Sequence, residues 1–278
     1  MALPPPNEEI LKKIERLRQR FEKELEQNKN DYHPVDIERV RTEQWQVERF
    51  AVDDIYALDD DDGPFQALLN ALKWKKQFNV HDRTEKSFPK EFFELNEVEI
   101  HGRDMDGHLI QWEATRNQRK FKELETVVRE FIAFCLERLD RSAGRDGFIY
   151  VTDNGGAGLA NVDMDINRFK IAAIEHYPMG LRKMYVVDLP WLLNGIMSMI
   201  LALMSPRLRA LVHYCKKTEL PKFIDIKDIP ERLNGKRDKR SYPSDSPPME
   251  QMTELGLDEK FLDSFYKLYK LERHPIIK

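Results

Sequence analysis

Four groups of residues in this 278-residue chain raise a reading of what it could do chemically. Gly155, Gly156 and Gly158 follow the apolar run Phe148 to Val151 and precede a helical pattern, the place where backbone N–H groups would meet a dinucleotide's pyrophosphate. That fingerprint needs its last glycine where Asn161 stands, and no acidic residue follows at ribose-holding distance, so the loop reads as a strand-to-helix turn. The aspartates Asp59 to Asp62 raise a calcium reading, but Gly63 comes one place too early for an EF-hand turn and Asn70 stands where its glutamate belongs. His33, His81, His101, His108, His176, His213 and His274 are scattered, with no pair at metal-binding helical spacing. No Walker loop, H-E-x-x-H, G-x-S-x-G or paired C-x-x-C is present. The expectation is a protein that is not an enzyme and holds neither metal nor cofactor.

The remaining group is apolar. Residues 184 to 204, MYVVDLPWLLNGIMSMILALM, read as a buried strand, a Pro-Trp corner and a helix. Eleven of the fourteen residues from Trp191 to Met204 are apolar, and Asn194, Gly195 and Ser198 do not build a full polar face. Such a helix needs apolar material beside it, either an ordinary core or the guest of a hollow that it covers as a movable lid. The run is shorter than the roughly 20 residues required to cross a bilayer.

Elements that would position these residues follow from periodicity. Ile10, Leu11, Ile14, Leu17, Phe21 and Leu25 recur at helical spacing, and the run DDDDGP looks like a helix start for Phe65, Leu68, Leu69 and Leu72. Residues 1 to about 80 are therefore expected to be mostly helical. Val98 to His101 and Leu109 to Glu113 flank the turn sequence RDMDG as two antiparallel strands. A helix from Phe121 to Leu139, a strand at Phe148 to Val151, a helix capped by Asp163 or Asp165 and a strand at Met184 to Val187 then alternate, as in α/β layers. A net charge of -4 gives no global case for nucleic acid, and Cys135 and Cys215 fit reduced thiols. The N-terminus lacks a basic-then-apolar signal order, so a cytoplasmic setting with peripheral membrane association is expected.

Four blocks in order, HGRDMDGHLIQW, FIYVTDNGGAGLANVD, HYPMGLRKMYVVDLPWLL and IKDIPERLNG, resemble the CRAL-TRIO lipid-binding family. RFEKELEQNKNDY, NALKWKKQFNVHD and KRSYP add a resemblance to members that carry a motile-sperm domain further along. The resemblance implies an α/β fold in which a mixed sheet floors a lipid pocket under a gate helix, after a small all-helical subdomain. The expected divisions are 1–85 helical, 86–240 lipid-binding, and 241–278 linker and C-terminal helix.

On that reading Trp191, Leu192, Leu193, Ile196, Met197, Met199, Ile200, Leu203 and Met204 form the gate and face ligand when closed or membrane when open. Strand candidates for the pocket floor are Ile110, Trp112, Ile149, Val151, Tyr185 and Val187, or their alternate-face neighbours. Tyr177 and His176 have two open readings, head-group contact or satisfied core. Members that hold a phosphatidylinositol head group resemble YPERMGK where this chain reads YPMGLRK, so the acidic-basic pair is missing and Arg232 is the remaining counterpart of a head-group lysine. Arg232, Lys236, Arg237, Lys239 and Arg240 make a candidate membrane-surface patch. The expected partners are a lipid or small hydrophobic ligand and a membrane or lipid-droplet surface. A tethering module without lipid extraction is the alternative, and an enzyme on an apolar metabolite is third.

Overall fold

The computed structural model describes residues 5–52, 59–238, 242–243 and 245–273. Four helices come first: α1 (Glu8–Asn28), α2 (Pro34–Thr42), α3 (Gln44–Ala51) and α4 (Asp62–Gln77). The Asn7 side chain caps α1 by accepting from the Ile10 amide at 2.9 Å. Asp60 does the same for α4, its Oδ1 accepting from the amides of Asp62 and Gly63, while Asp61 is bound by Arg16. The aspartate run is thus a helix start and an ion-pair partner. Leu17, Phe21, Val47 and Leu68 are essentially fully buried where these helices meet.

The helix α5 (Lys90–Leu95) leads into a five-stranded sheet of β1 (Glu99–Arg103), β2 (Leu109–Ala114), β3 (Phe148–Asp153), β4 (Leu181–Val187) and β5 (Val212–Cys215), ordered as in sequence. β1 and β2 are antiparallel; the other neighbours run parallel. Parallel neighbours require crossovers. These are α6 (Glu125–Ala143) between β2 and β3, α7 (Met164–Glu175) between β3 and β4, and α8 (Asn194–Leu203) with α9 (Pro206–Ala210) between β4 and β5. β5 has no counterpart among the expected strands, because its four residues VHYC mix polar and apolar types without a clean alternation. A last helix, α10 (Glu259–Tyr269), buries Leu262, Phe265 and Tyr266 in the cluster around Phe92, Phe131 and Phe134.

A buried ionic seam joins α2, α3 and α4 to α6 and to the turn before β4. Arg49 clamps Asp140 through two bonds of 2.6 and 2.8 Å and also donates to the Pro178 carbonyl. Glu137 receives Lys75 at 2.9 Å, Arg39 at 2.7 Å and the Tyr177 hydroxyl at 3.0 Å. Burial alone would push the Glu137 carboxyl up, but Lys75, His81 and Arg39 outweigh it and hold the group down at about 2. Removing one partner leaves a charge buried without compensation, so Arg49→Met is expected to cost roughly 3–5 kcal/mol in denaturant unfolding. A loss under about 1 kcal/mol would mean that the seam is dispensable.

Candidate functional site

A cavity of about 240 Å³ lies between one face of the sheet and the helices α6, α7 and α8. One water requires roughly 10–15 Å³ by this measure, so the space is molecular in size. Its walls include Ile132, Leu136, Ile171, Ile174, Met184 and Leu189. From residues 191–204, Leu193, Ile196, Met197, Ile200 and Met204 reach it. On the outer side, Trp191 (83%) and Leu192 (42%) in the turn before α8 are exposed, as are Met199 (58%) and Leu203 (41%) on α8 itself. One stretch therefore presents apolar side chains in two directions.

Local chemistry fixes this segment. Asp188 adopts a φ of +49°, a conformation its short polar side chain tolerates, and its Oδ1 accepts from the Lys217 amide at 3.1 Å. Pro190 then sets the corner into Trp191. Ser198 hides its hydroxyl by donating to the Asn194 carbonyl at 3.0 Å. At the other end the Leu201 carbonyl accepts from the Met204 amide at 3.1 Å and from the Arg209 side chain at 3.0 Å, and Arg209 also donates to the Met204 carbonyl.

The six strand residues of the expected parity point the other way. Ile110, Trp112, Ile149, Val151, Tyr185 and Val187 pack with Leu220, Ile224, Ile229 and Leu233 on the opposite face of the sheet. Their alternate-face neighbours Gln111, Glu113, Tyr150, Thr152, Met184 and Val186 line the cavity. The physical reason is that a mostly parallel sheet must be covered on both faces, and the greasier face here meets protein, making a solid core. Polar residues on the cavity side disguised it. Tyr177 is also displaced from the cavity: 1% exposed, it is part of the ionic seam.

His176 stacks on Trp74 with ring centroids 4.9 Å apart. Burial, reinforced by the charge of Lys75, holds its imidazole down at about 4. The folded value lies below the ordinary 6.5, so the stability contributed by the neutral ring is complete above pH 6.5 and is lost as pH falls toward 4. His176→Gln is expected to flatten the fall of unfolding free energy across that window; an unchanged slope would contradict a partly buried ring held neutral.

The expected cationic patch divides. Arg232 binds Asp153 at 2.6 Å and the Gly155 carbonyl, and Asp153 also holds Arg116 at 3.1 Å. Arg237 corrects its surface assignment: its side chain is 7% exposed, paired with Glu99 at 2.8 Å and set over the Trp112 ring. Lys236 is exposed, and Lys239 and Arg240 lie outside the described residues. Sequence reasoning also missed the convergence of Asp104, Asp106 and His108, the one metal-capable cluster among the described residues. Lys183 binds Asp106 at 2.6 Å and Asp104 accepts from the turn's own amides, so the group closes the β1–β2 turn. Around Gly155 and Gly158, Asp153 and Asn161 accept from the loop amides. No helix among the described residues is long and apolar enough to cross a membrane.

Comparison with known proteins agrees with this architecture. The chain is 23% identical over 75% of its length to a CRAL-TRIO domain-containing protein of Schizosaccharomyces pombe, and spans 64% of that relative. It is 28% identical over 51% of its length to the phosphatidylinositol transfer protein CSR1 of Eremothecium gossypii, spanning 34% of it. The chain thus covers less than two thirds of either relative. Its structure superposes on the crystal structure of Sfh5 with a TM-score of 0.65 at 18% identity, over 96% of this chain and 99% of the other. The CRAL/TRIO domain model matches residues 96–235, half of the chain, running from the end of α5 past Arg232, and on that match this chain belongs to the CRAL/TRIO domain family.

Proposed function

We propose that this protein binds a lipid or another small hydrophobic molecule in the cavity under α8 and carries it to and from membranes, with α8 as the gate. The observation that carries the reading is the two-sided apolar character of residues 191–204: five side chains line the cavity and four are exposed outside it. A carrier must offer its guest an environment that competes with a bilayer, and each buried methylene contributes about 0.8 kcal/mol in either place. A sixteen-carbon tail accounts for on the order of 12 kcal/mol on that basis. Methionines 197, 199 and 204 suit a gate, since a flexible thioether adapts to ill-defined partners.

The turn Tyr177 to Lys183 supports a guest held mainly through its hydrocarbon. Tyr177 and the Pro178 carbonyl are bound into the ionic seam, Met179 sits at a φ of +62°, and none of the seven residues of this turn is itself acidic. Transfer between two vesicle populations tests the proposal. Catalysed movement of a labelled lipid supports carriage, whereas vesicle binding without transfer favours a tether that inserts α8 and extracts nothing.

A further inference from the structure

The cavity is not uniformly apolar, and its polar residues form a row. On the cavity face, β2 presents Gln111 and Glu113, β3 presents Tyr150 and Thr152, and β4 presents Met184 and Val186. Strand register pairs Gln111 with Tyr150 and Glu113 with Thr152, so the four polar side chains are neighbours across two strands. Met184 and Val186 continue the same two rows as apolar positions. The floor is therefore graded from polar at β2 and β3 to apolar at β4.

Gln111 is the informative member. It is 3% exposed, and its carbonyl oxygen has no hydrogen-bond partner among the described residues. A buried amide in that state carries an uncompensated desolvation cost, which fold stability alone would not maintain beside a hydrophobic cavity. Asn96, on the same cavity wall, also has an enclosed carbonyl oxygen without a partner. Glu113, by contrast, is satisfied: Lys170 binds it and Gln118 donates to it. Arg119, also on the wall, donates to the backbone carbonyls of Arg116 and Gln118. Lys170 is thus neutralised, Arg119 is exposed and bonds only neutral carbonyls, and an anionic guest beside Gln111 and Tyr150 would meet the Glu113 carboxylate. The Tyr150 phenol stays protonated, since burial and the charge of Glu113 both push its ionisation well above the usual value.

Resting on the carrier reading, we infer that the Gln111–Tyr150 row is a polar station for the hydroxyl group of an uncharged lipid, held inside the cavity with its hydrocarbon running toward Met184, Val186 and α8. A hydroxyl both donates and accepts, so it serves the amide of Gln111 in either orientation and the Tyr150 phenol beside it. A phosphate or carboxylate does neither without its charge facing Glu113.

Three fluorescent probes of one length test the station: pyrenyldecanol, its methyl ether and pyrenyldecanoate. The wild-type chain is expected to bind the alcohol about tenfold more tightly than the ether, a difference of about 1.4 kcal/mol, and to bind the anion weakest. Gln111→Leu is expected to erase the preference while keeping affinity for the ether, and to raise the melting temperature of the empty protein. Tyr150→Phe, which keeps the ring and removes the hydroxyl, is expected to reduce the same preference. Equal binding of alcohol and ether by the wild type, tightest binding of the anion, or a preference that survives Gln111→Leu would overturn the station and leave the carrier reading intact. Failure of all three probes to bind would overturn both.

Discussion

A chain carrying Met199→Asp and Leu203→Asp is expected to lose vesicle binding by at least about 100-fold while retaining its ligand. Met199 and Leu203 are 58% and 41% exposed on the outer side of α8, and Trp191 and Leu192, just before the helix, are exposed as well. Full burial of such a side chain is worth about 1.5–3 kcal/mol, so insertion of the outer surface into the acyl boundary draws on several kcal/mol in total. Two carboxylates remove part of that gain and add a charge penalty at the interface. Each 1.4 kcal/mol is tenfold in affinity, which gives the stated loss. Neither residue lines the cavity, so ligand content is the internal control. Vesicle co-sedimentation checks it: retained binding would remove the outer surface of α8 from membrane contact.

The second large effect is on the inner side. Ile200→Asp turns a carboxylate toward the space that the guest's hydrocarbon would occupy, against Met197, Met204 and Ile174. An ionised group there is stripped of water without a partner when a tail is bound, a penalty of several kcal/mol. Ligand affinity is expected to fall by at least about 100-fold, with Ile200→Leu close to wild type because volume and polarity are kept. Unaltered ligand binding by the aspartate variant would mean that the guest does not lie under α8. Together the two substitutions separate the two directions in which the helix faces.

Much of the fold was legible because strong periodicities had one reading. The apolar spacing of α1, the aspartate start of α4 and the alternation of strands and helices from β2 to β4 all follow from local pattern. The apolar segment 191–204 was legible for a different reason: no ordinary surface helix carries so few polar residues. Strand parity was not legible. Ile110, Trp112, Ile149 and Val151 look like the walls of a greasy pocket, yet the greasiest face packs against residues 220 to 233. Gln111 and Glu113 look like solvent-facing residues and instead face the cavity. Alternation shows that a strand has two faces; it does not say which of them meets a guest. The cationic cluster failed similarly, since proximity in sequence does not reveal that Arg237 turns inward to Glu99.

Native mass spectrometry of protein purified from cells puts the occupied cavity to the most direct test. The expected result is a mass excess of one small hydrophobic molecule, lost on extraction with organic solvent and absent from Ile200→Asp. A bare polypeptide mass under conditions that preserve non-covalent complexes, unchanged after incubation with lipid vesicles, would contradict it.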